Sequence, residues 1–234
     1  MYTTARRAAG AMFLALAVTA LNAAGALADA GKPRNIEASP DGLTLVATSL
    51  ATSNITQFTV SPFSGAVTHT EIAVGAPSWD VCFLDANLAV LSHPDLDEMT
   101  VLQRSGGSGL FAVGTPIAVP YGCTEILRDH TDPGHVYVAC KGVAPGAESW
   151  RNSVVRIDCV NRLVEAVFET EREPRGLALS PDGERLFVGH VQGALGQEGL
   201  AADHALADKS YDGGSLLVFD TSAPSAPLLP VLGG

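Results

Sequence analysis

Apolar and polar positions alternate along most of this chain in short runs, and glycine or proline separates one run from the next. Alternation with period two, carried by Val, Ile, Thr, Leu and Phe, predicts half-buried β-strands. In the first such stretch the predicted strands are Asn35–Ala38, Leu43–Thr48, Ile55–Val60 and Val67–Val74. Ser39-Pro40-Asp41-Gly42 separates the first two. Proline pre-sets φ there, aspartate closes a local hydrogen bond and glycine takes positive φ, so the segment predicts a tight turn. Ser61-Pro62-Phe63-Ser64-Gly65 predicts the next hairpin.

The same pattern recurs. Four segments begin with a proline and run strand, turn, strand: from Pro33, Pro77, Pro120 and Pro174. These prolines stand 44, 43 and 54 residues apart, and a period in the low forties is that of four-stranded blades around a propeller axis. The first and last segments align closely, sharing Ser-Pro-Asp-Gly at 39–42 and 180–183, and Ser215–Asp220 matches Ser153–Asp158 as a third strand. With 24 glycines and 14 prolines breaking up the runs, helical repeats of similar period are excluded. The expected fold is all-β: a β-propeller with four four-stranded blades (33–76, 77–119, 120–173 and 174–234), as a fragment of a ring of about seven blades. Pro230–Gly234 ends the chain as Ile72–Ala76 ends the first blade, which supports that expectation.

Pro174-Arg175-Gly176-Leu177-Ala178-Leu179-Ser180-Pro181-Asp182-Gly183, with Leu186-Phe187-Val188 and Leu217-Val218-Phe219-Asp220, resembles the YVTN-type repeat of exported bacterial propellers. The resemblance covers the first and fourth blades well and the middle two loosely. It implies architecture rather than activity, because this superfold hosts many functions. It also implies, by analogy, a c-type cytochrome as partner.

Residues 1–28 predict a leader rather than fold. Arg6 and Arg7 are followed by an apolar stretch, Ala8–Leu21, too short to span a bilayer. Ala26-Leu27-Ala28 is a small-x-small cleavage pattern, with Ala28-Asp29-Ala30 as a second one. The expectation is a periplasmic or secreted protein by the general secretory route, with residues 29–32 as a short linker and no membrane span after cleavage. The net charge is −11 and falls further once the leader's arginines are removed. Phosphate contacts need a basic footprint, so nucleic-acid binding is excluded.

In an oxidising compartment the four cysteines, Cys82, Cys123, Cys140 and Cys159, predict disulfides. Three full pairings exist and spacing alone does not choose. If Ile126 faces Gly134–Val136 across the third blade's first hairpin, Cys123 falls roughly opposite Cys140, which makes that pair the candidate bridge. C-x-x-C-H is absent, so no covalent haem is expected in this chain. G-x-S-x-G and the phosphate-binding G-x-x-x-x-G-K-[ST] are absent too, and no Ser/His/Asp set stands out.

Binding chemistry is expected where the second-strand and fourth-strand loops gather. Arg34, Trp79, Tyr121 and Arg175 follow the blade-opening prolines, and Trp150 and Arg151 sit in the third blade's loop. Guanidinium and indole groups there suit an anionic or ring-bearing small molecule, or a protein partner. The alternatives are packing for Trp79 and an acidic neighbour for Arg175. The long fourth-blade loop, with a helix expected over Gln197–Lys209, brings metal candidates His190, Asp203, His204 and Asp208, a set for Ca²⁺ or a transition metal. A solvated lid is the competing reading. His93-Pro94-Asp95-Leu96-Asp97-Glu98 is expected to be an exposed acidic turn. Two functions therefore compete: a non-enzymatic binding module at the loop face, and a propeller enzyme, either lactonase-like or a metal- or quinone-dependent oxidoreductase.

Overall fold

The computed structural model describes residues 33–104, 109–142, 152–170, 173–190, 215–222 and 227–231. Every regular element among them is a β-strand. β1 (Pro33–Ala38), β2 (Thr44–Ser49), β3 (Asn54–Val60) and β4 (Val67–Ala73) form an antiparallel sheet in chain order. β5 (Val81–Phe83), β6 (Leu88–Leu91), β7 (Glu98–Gln103) and β8 (Ala112–Val113) form a second, to which β9 (Ile117–Ala118) also adds through β7. β10 (Tyr121–Arg128), β11 (His135–Gly142), β12 (Asn152–Asp158) and β13 (Leu163–Thr170) form the third. β14 (Pro174–Leu179), β15 (Arg185–His190), β16 (Ser215–Asp220) and β17 (Pro227–Val231) form the fourth. Consecutive four-stranded antiparallel meanders of this kind are propeller blades. The expected leader and linker, the helix over 197–209 and the residues Trp150, Arg151, Asp203, His204 and Asp208 lie outside the described residues.

Local chemistry explains the hairpins. In the first sheet Ser39 Oγ donates to Asp41 Oδ1 at 2.5 Å, and the Leu43 amide donates to the same oxygen at 3.1 Å. The Gly42 amide closes on Ser39 O at 2.8 Å with φ at 70°. The fourth sheet repeats this bond for bond: Ser180 Oγ to Asp182 Oδ1 at 2.5 Å, Glu184 N to Asp182 Oδ1 at 3.1 Å, Gly183 N to Ser180 O at 2.9 Å, φ 78°. An alanine Cβ at Gly183 would lie 2.6 Å from Thr131 Oγ1, so close packing as well as backbone handedness requires glycine there. The middle sheets make the same corner without the motif. The Asn87 amide donates to Asp85 Oδ1 at 2.6 Å in one, and Asp129 Oδ1 accepts from the Thr131 and Asp132 amides at 2.9 and 3.1 Å in the other.

Two features differ from the strand-by-strand expectation. The outer strand of the second sheet is split: β8 pairs with β7 at Leu102↔Val113, and β9 pairs with β7 at Met99↔Ile117. Gly114-Thr115-Pro116 lies between them, and Pro116 has no N–H for the ladder. The β10–β11 register places Ile126 opposite Val138, not 134–136. A bulge between Cys123 and Ile126 shifts the ladder, Cys123 then faces Cys140, and the two are joined by a disulfide. Register breaks occupy the same place in the first strands of the first and fourth sheets. Cys82 and Cys159 are buried and take no part in that bridge.

The described residues pack as two compact units, one drawn from 33–89 and 102–113 and the other from 90–101 and 114–231. In the first, Leu45, Ala47, Phe58 and Val60 form a core against which Val67 packs. In the second, Tyr137, Val154, Phe168, Leu186, Val188 and Phe219 do so, with Phe168 and Phe219 edge-to-face at 5.5 Å.

Candidate functional site

In the first unit the ends of β1 and β5 bring Arg34, Asn35, Trp79 and Asp80 together. The Arg34 guanidinium lies over the Trp79 indole, 4.1 Å from the ring centroid, on an exposed strand. Such a contact is worth roughly 0.5–1 kcal/mol at an exposed position. Beneath it Asn35 Nδ2 donates to the buried Asp80 carboxylate, whose Oδ1 also accepts the Val81 amide at 2.8 Å. Thr48 Oγ1 accepts the Asn35 amide at 3.0 Å and donates to Trp79 O at 3.0 Å. The backbone carrying both candidate side chains is therefore held by hydrogen bonds to the buried Asp80 and Thr48 side chains. Trp79 is half-buried, with Arg34 as its ring partner, so it both packs and presents a surface.

In the second unit Tyr121 opens β10, half-buried. Burial pushes its phenol above the ordinary range, and the nearby Asp95 carboxylate adds to the rise. The Arg175 Nη2 atom lies 2.6 Å from Glu173 Oε1, so its charge is shared with an acid from its own strand entry. His93 corrects the expectation of an exposed acidic turn: it is fully buried, its Nε2 lies 2.8 Å from Thr100 Oγ1, and only Asp95 and Asp97 are exposed. The imidazole turns inward because Thr100 on β7 offers it a buried hydroxyl. His190, the one metal candidate within the described residues, is buried at the end of β15, opposite Pro174 on one side and Ser215 on the other.

A second polar cluster was not singled out from sequence. It gathers at the β10–β11 and β12–β13 turns of the third blade. Arg156 Nη2 reaches Asp129 at 3.4 Å and also bonds Asp132, while Nη1 bonds Glu165. His135 Nδ1 lies 3.2 Å from Asp132 Oδ2, and its Nε2 lies 3.3 Å from Glu165 Oε2 and 3.8 Å from Asp158 Oδ2. His135 and Asp158 are cross-strand partners. They are 23 positions apart in the chain, so only the β11–β12 register shows that they meet.

Burial of Asp129 raises its pKa, but hydrogen bonds from Thr131 and Asp132 and the Arg156 charge outweigh it and leave the carboxyl below its ordinary value of 3.8. A group depressed in the folded state contributes stability that is complete above its unfolded pKa and lost as pH falls through the folded one. Unfolding midpoints in urea are thus expected to hold steady near neutrality and decline below about pH 4. The decline should be shallower in Asp129→Asn, which starts from a lower plateau; equal acid slopes for the two proteins would contradict this.

No family model matches the chain, and no curated protein matches it in sequence. Solved structures do match in shape. Hydrazine synthase of Kuenenia stuttgartiensis aligns with a TM-score of 0.61 and 20% identity, over 84% of this chain and 48% of that one. The Pseudomonas aeruginosa periplasmic gluconolactonase PpgL aligns at 0.57 and 15%, over 85% and 53%. A putative 6-phosphogluconolactonase of Bacteroides fragilis aligns at 0.55 and 16%, over 84% and 53%. The likeness shows the β-propeller fold, and the chain spans about half the length of these structures.

Proposed function

We propose that this chain is the blade set of an exported, periplasmic propeller of YVTN type that binds a small anionic ligand or a protein partner where its first strands begin. The observation that carries this reading is the Arg34–Trp79 pair, a cation laid on an aromatic face and held by the bonds that Asn35 makes to buried Asp80 and that buried Thr48 makes to Trp79 O. Guanidinium groups bind carboxylates and phosphates through paired donors, and an indole face adds contact for a ring. The charged start, the apolar Ala8–Leu21 stretch and the Cys123–Cys140 bridge all suit an oxidising, exported setting. As protein partner the reading takes a c-type cytochrome, on the resemblance alone.

The neighbours that carry lactonase names suggest the probes. Calorimetric titration of the intact protein with gluconate and with 6-phosphogluconate is expected to show saturable binding, weakened about tenfold in Arg34→Ala. Absence of saturation with either acid, or an unchanged affinity in Arg34→Ala, would sink the proposal. Glucono-lactone added to the same protein is expected to hydrolyse at its uncatalysed rate. Turnover would instead favour the lactonase-like enzyme.

A further inference from the structure

The carboxylate–histidine cluster of the third blade has chemistry that the Arg34–Trp79 site does not use. Four carboxylates, Asp129, Asp132, Asp158 and Glu165, surround one guanidinium and one imidazole. Even with the imidazole charged, negative charge exceeds positive in a partly screened pocket. His135 has 14% of its side chain exposed and Asp158 10%, so water screens that side of the cluster less than the side of Glu165 and Asp132, which are 34% and 48% exposed. The His135 Nδ1 atom is buried without a hydrogen bond despite the acceptors around it.

We propose that His135 Nε2, Asp158 and Glu165 bind a divalent transition-metal ion, with zinc as the best match. One ligand atom from each residue lies within 4.8 Å of the others, and Nε2 stands 3.3 Å from Glu165 Oε2 and 3.8 Å from Asp158 Oδ2. Two ligands each about 2.1 Å from a tetrahedral ion are separated by about 3.4 Å, so small side-chain adjustments complete the shell. One imidazole nitrogen with two carboxylates and room for water is a zinc donor set. Calcium, which takes six to eight oxygens, is poorly served.

The surroundings match what a metal-binding histidine needs. Asp132 stands 3.2 Å from Nδ1 without bonding it, and a small turn of the ring would complete the carboxylate–histidine pair that fixes the tautomer of a metal ligand. Asp158 is oriented by the Val160 and Asn161 amides, each 2.8 Å from Oδ1, and by Asn161 Nδ2 at 2.6 Å from Oδ2. Arg156 donates to Glu165 Oε2 and to Asp132 Oδ2, which holds both carboxylates in place, and Glu165 keeps Oε1 and a further lone pair on Oε2 for an ion. Nothing in the cluster overlaps Arg34 or Trp79, so this site and the ligand site stand or fall separately.

The test is calorimetric titration of the chelator-treated full chain with ZnCl₂, with Co²⁺ absorption in the visible as a second readout. One bound equivalent, a raised thermal midpoint and tetrahedral Co²⁺ bands are expected, and CaCl₂ should not compete. Glu165→Gln, at a partly exposed position, should weaken zinc binding at least tenfold while the protein remains folded by circular dichroism. Asp132→Asn should weaken it by about tenfold through the histidine. Failure of the parent protein to bind zinc overturns the proposal. Undiminished binding by a folded Glu165→Gln or His135→Asn variant also overturns it, because the ion would then lie elsewhere.

Discussion

Replacing Arg104 with leucine is expected to lower the unfolding free energy by about 3 kcal/mol. The guanidinium side chain is 1% exposed. It leaves the end of β7 and gathers four groups: Thr44 Oγ1 at 2.8 Å, Asn87 Oδ1 at 3.3 Å, Asp41 Oδ2 at 3.5 Å and the Phe111 ring at 5.0 Å. Leucine fills part of the space but leaves the Thr44 hydroxyl, which is fully buried, without its donor. The Asp41 contribution is discounted because that carboxylate is one-third exposed and water screens it. Arg104→Lys should lose less, since a single ammonium replaces only part of a fork of donors. Denaturant midpoints of the three proteins check this. A loss below about 1 kcal/mol for the leucine variant would mean that Arg104 is merely accommodated, and that the Ser39–Gly42 turn stands without it.

Removal of the Cys123–Cys140 bridge is the second large effect. The bridge closes a loop with a sequence separation of 17, and the chain-entropy estimate for such a loop is about 3 kcal/mol of destabilisation when it is opened. Both cysteines are fully buried on β10 and β11, so the double alanine variant is the fair comparison: it removes the bond without placing a polar group in the core. Guanidinium unfolding of the parent under reducing and non-reducing conditions should reproduce most of the difference. The buried Cys159 thiol, pushed up to about 12 by burial and then by the Asp158 charge, should remain unreactive in both folded forms. Equal midpoints for parent and double alanine variant would place the stabilisation in the ladder rather than in the bond.

Much of this architecture is legible in the sequence. The strands of the first and fourth blades follow the alternation within a residue or two, and Ser-Pro-Asp-Gly makes the corner that its side chains dictate, because the interactions involved span only a few residues. The second blade was harder. Its outer strand is divided at Gly114-Thr115-Pro116, and its His93, surrounded in sequence by acids, points into the interior. Local composition suggested an exposed turn there, but a buried partner seven residues away decided the rotamer.

The candidate sites divide in the same way. Arg34 and Trp79 could be singled out by their position after the blade-opening prolines, yet their stacking and the Asn35–Asp80 bond beneath them join residues 45 positions apart. The His135, Asp158 and Glu165 cluster offered no sequence signal, since its members come from two turns and become neighbours only through the β11–β12 and β12–β13 registers. Even the cysteine pair meets through a register different from the expected one, because a bulge of the inner strand brings Cys123 opposite Cys140.

By itself the sequence determined the repeat, the strand-turn-strand grammar and the acidic balance, because period-two alternation and turn chemistry act over a handful of neighbouring residues. The tertiary structure alone decided which charges meet: Arg104 on the first blade's turn, Arg156 among three acids, His135 between Asp132 and Glu165. Such encounters depend on strand register and on bulges, where a shift of one residue turns a side chain to the opposite face.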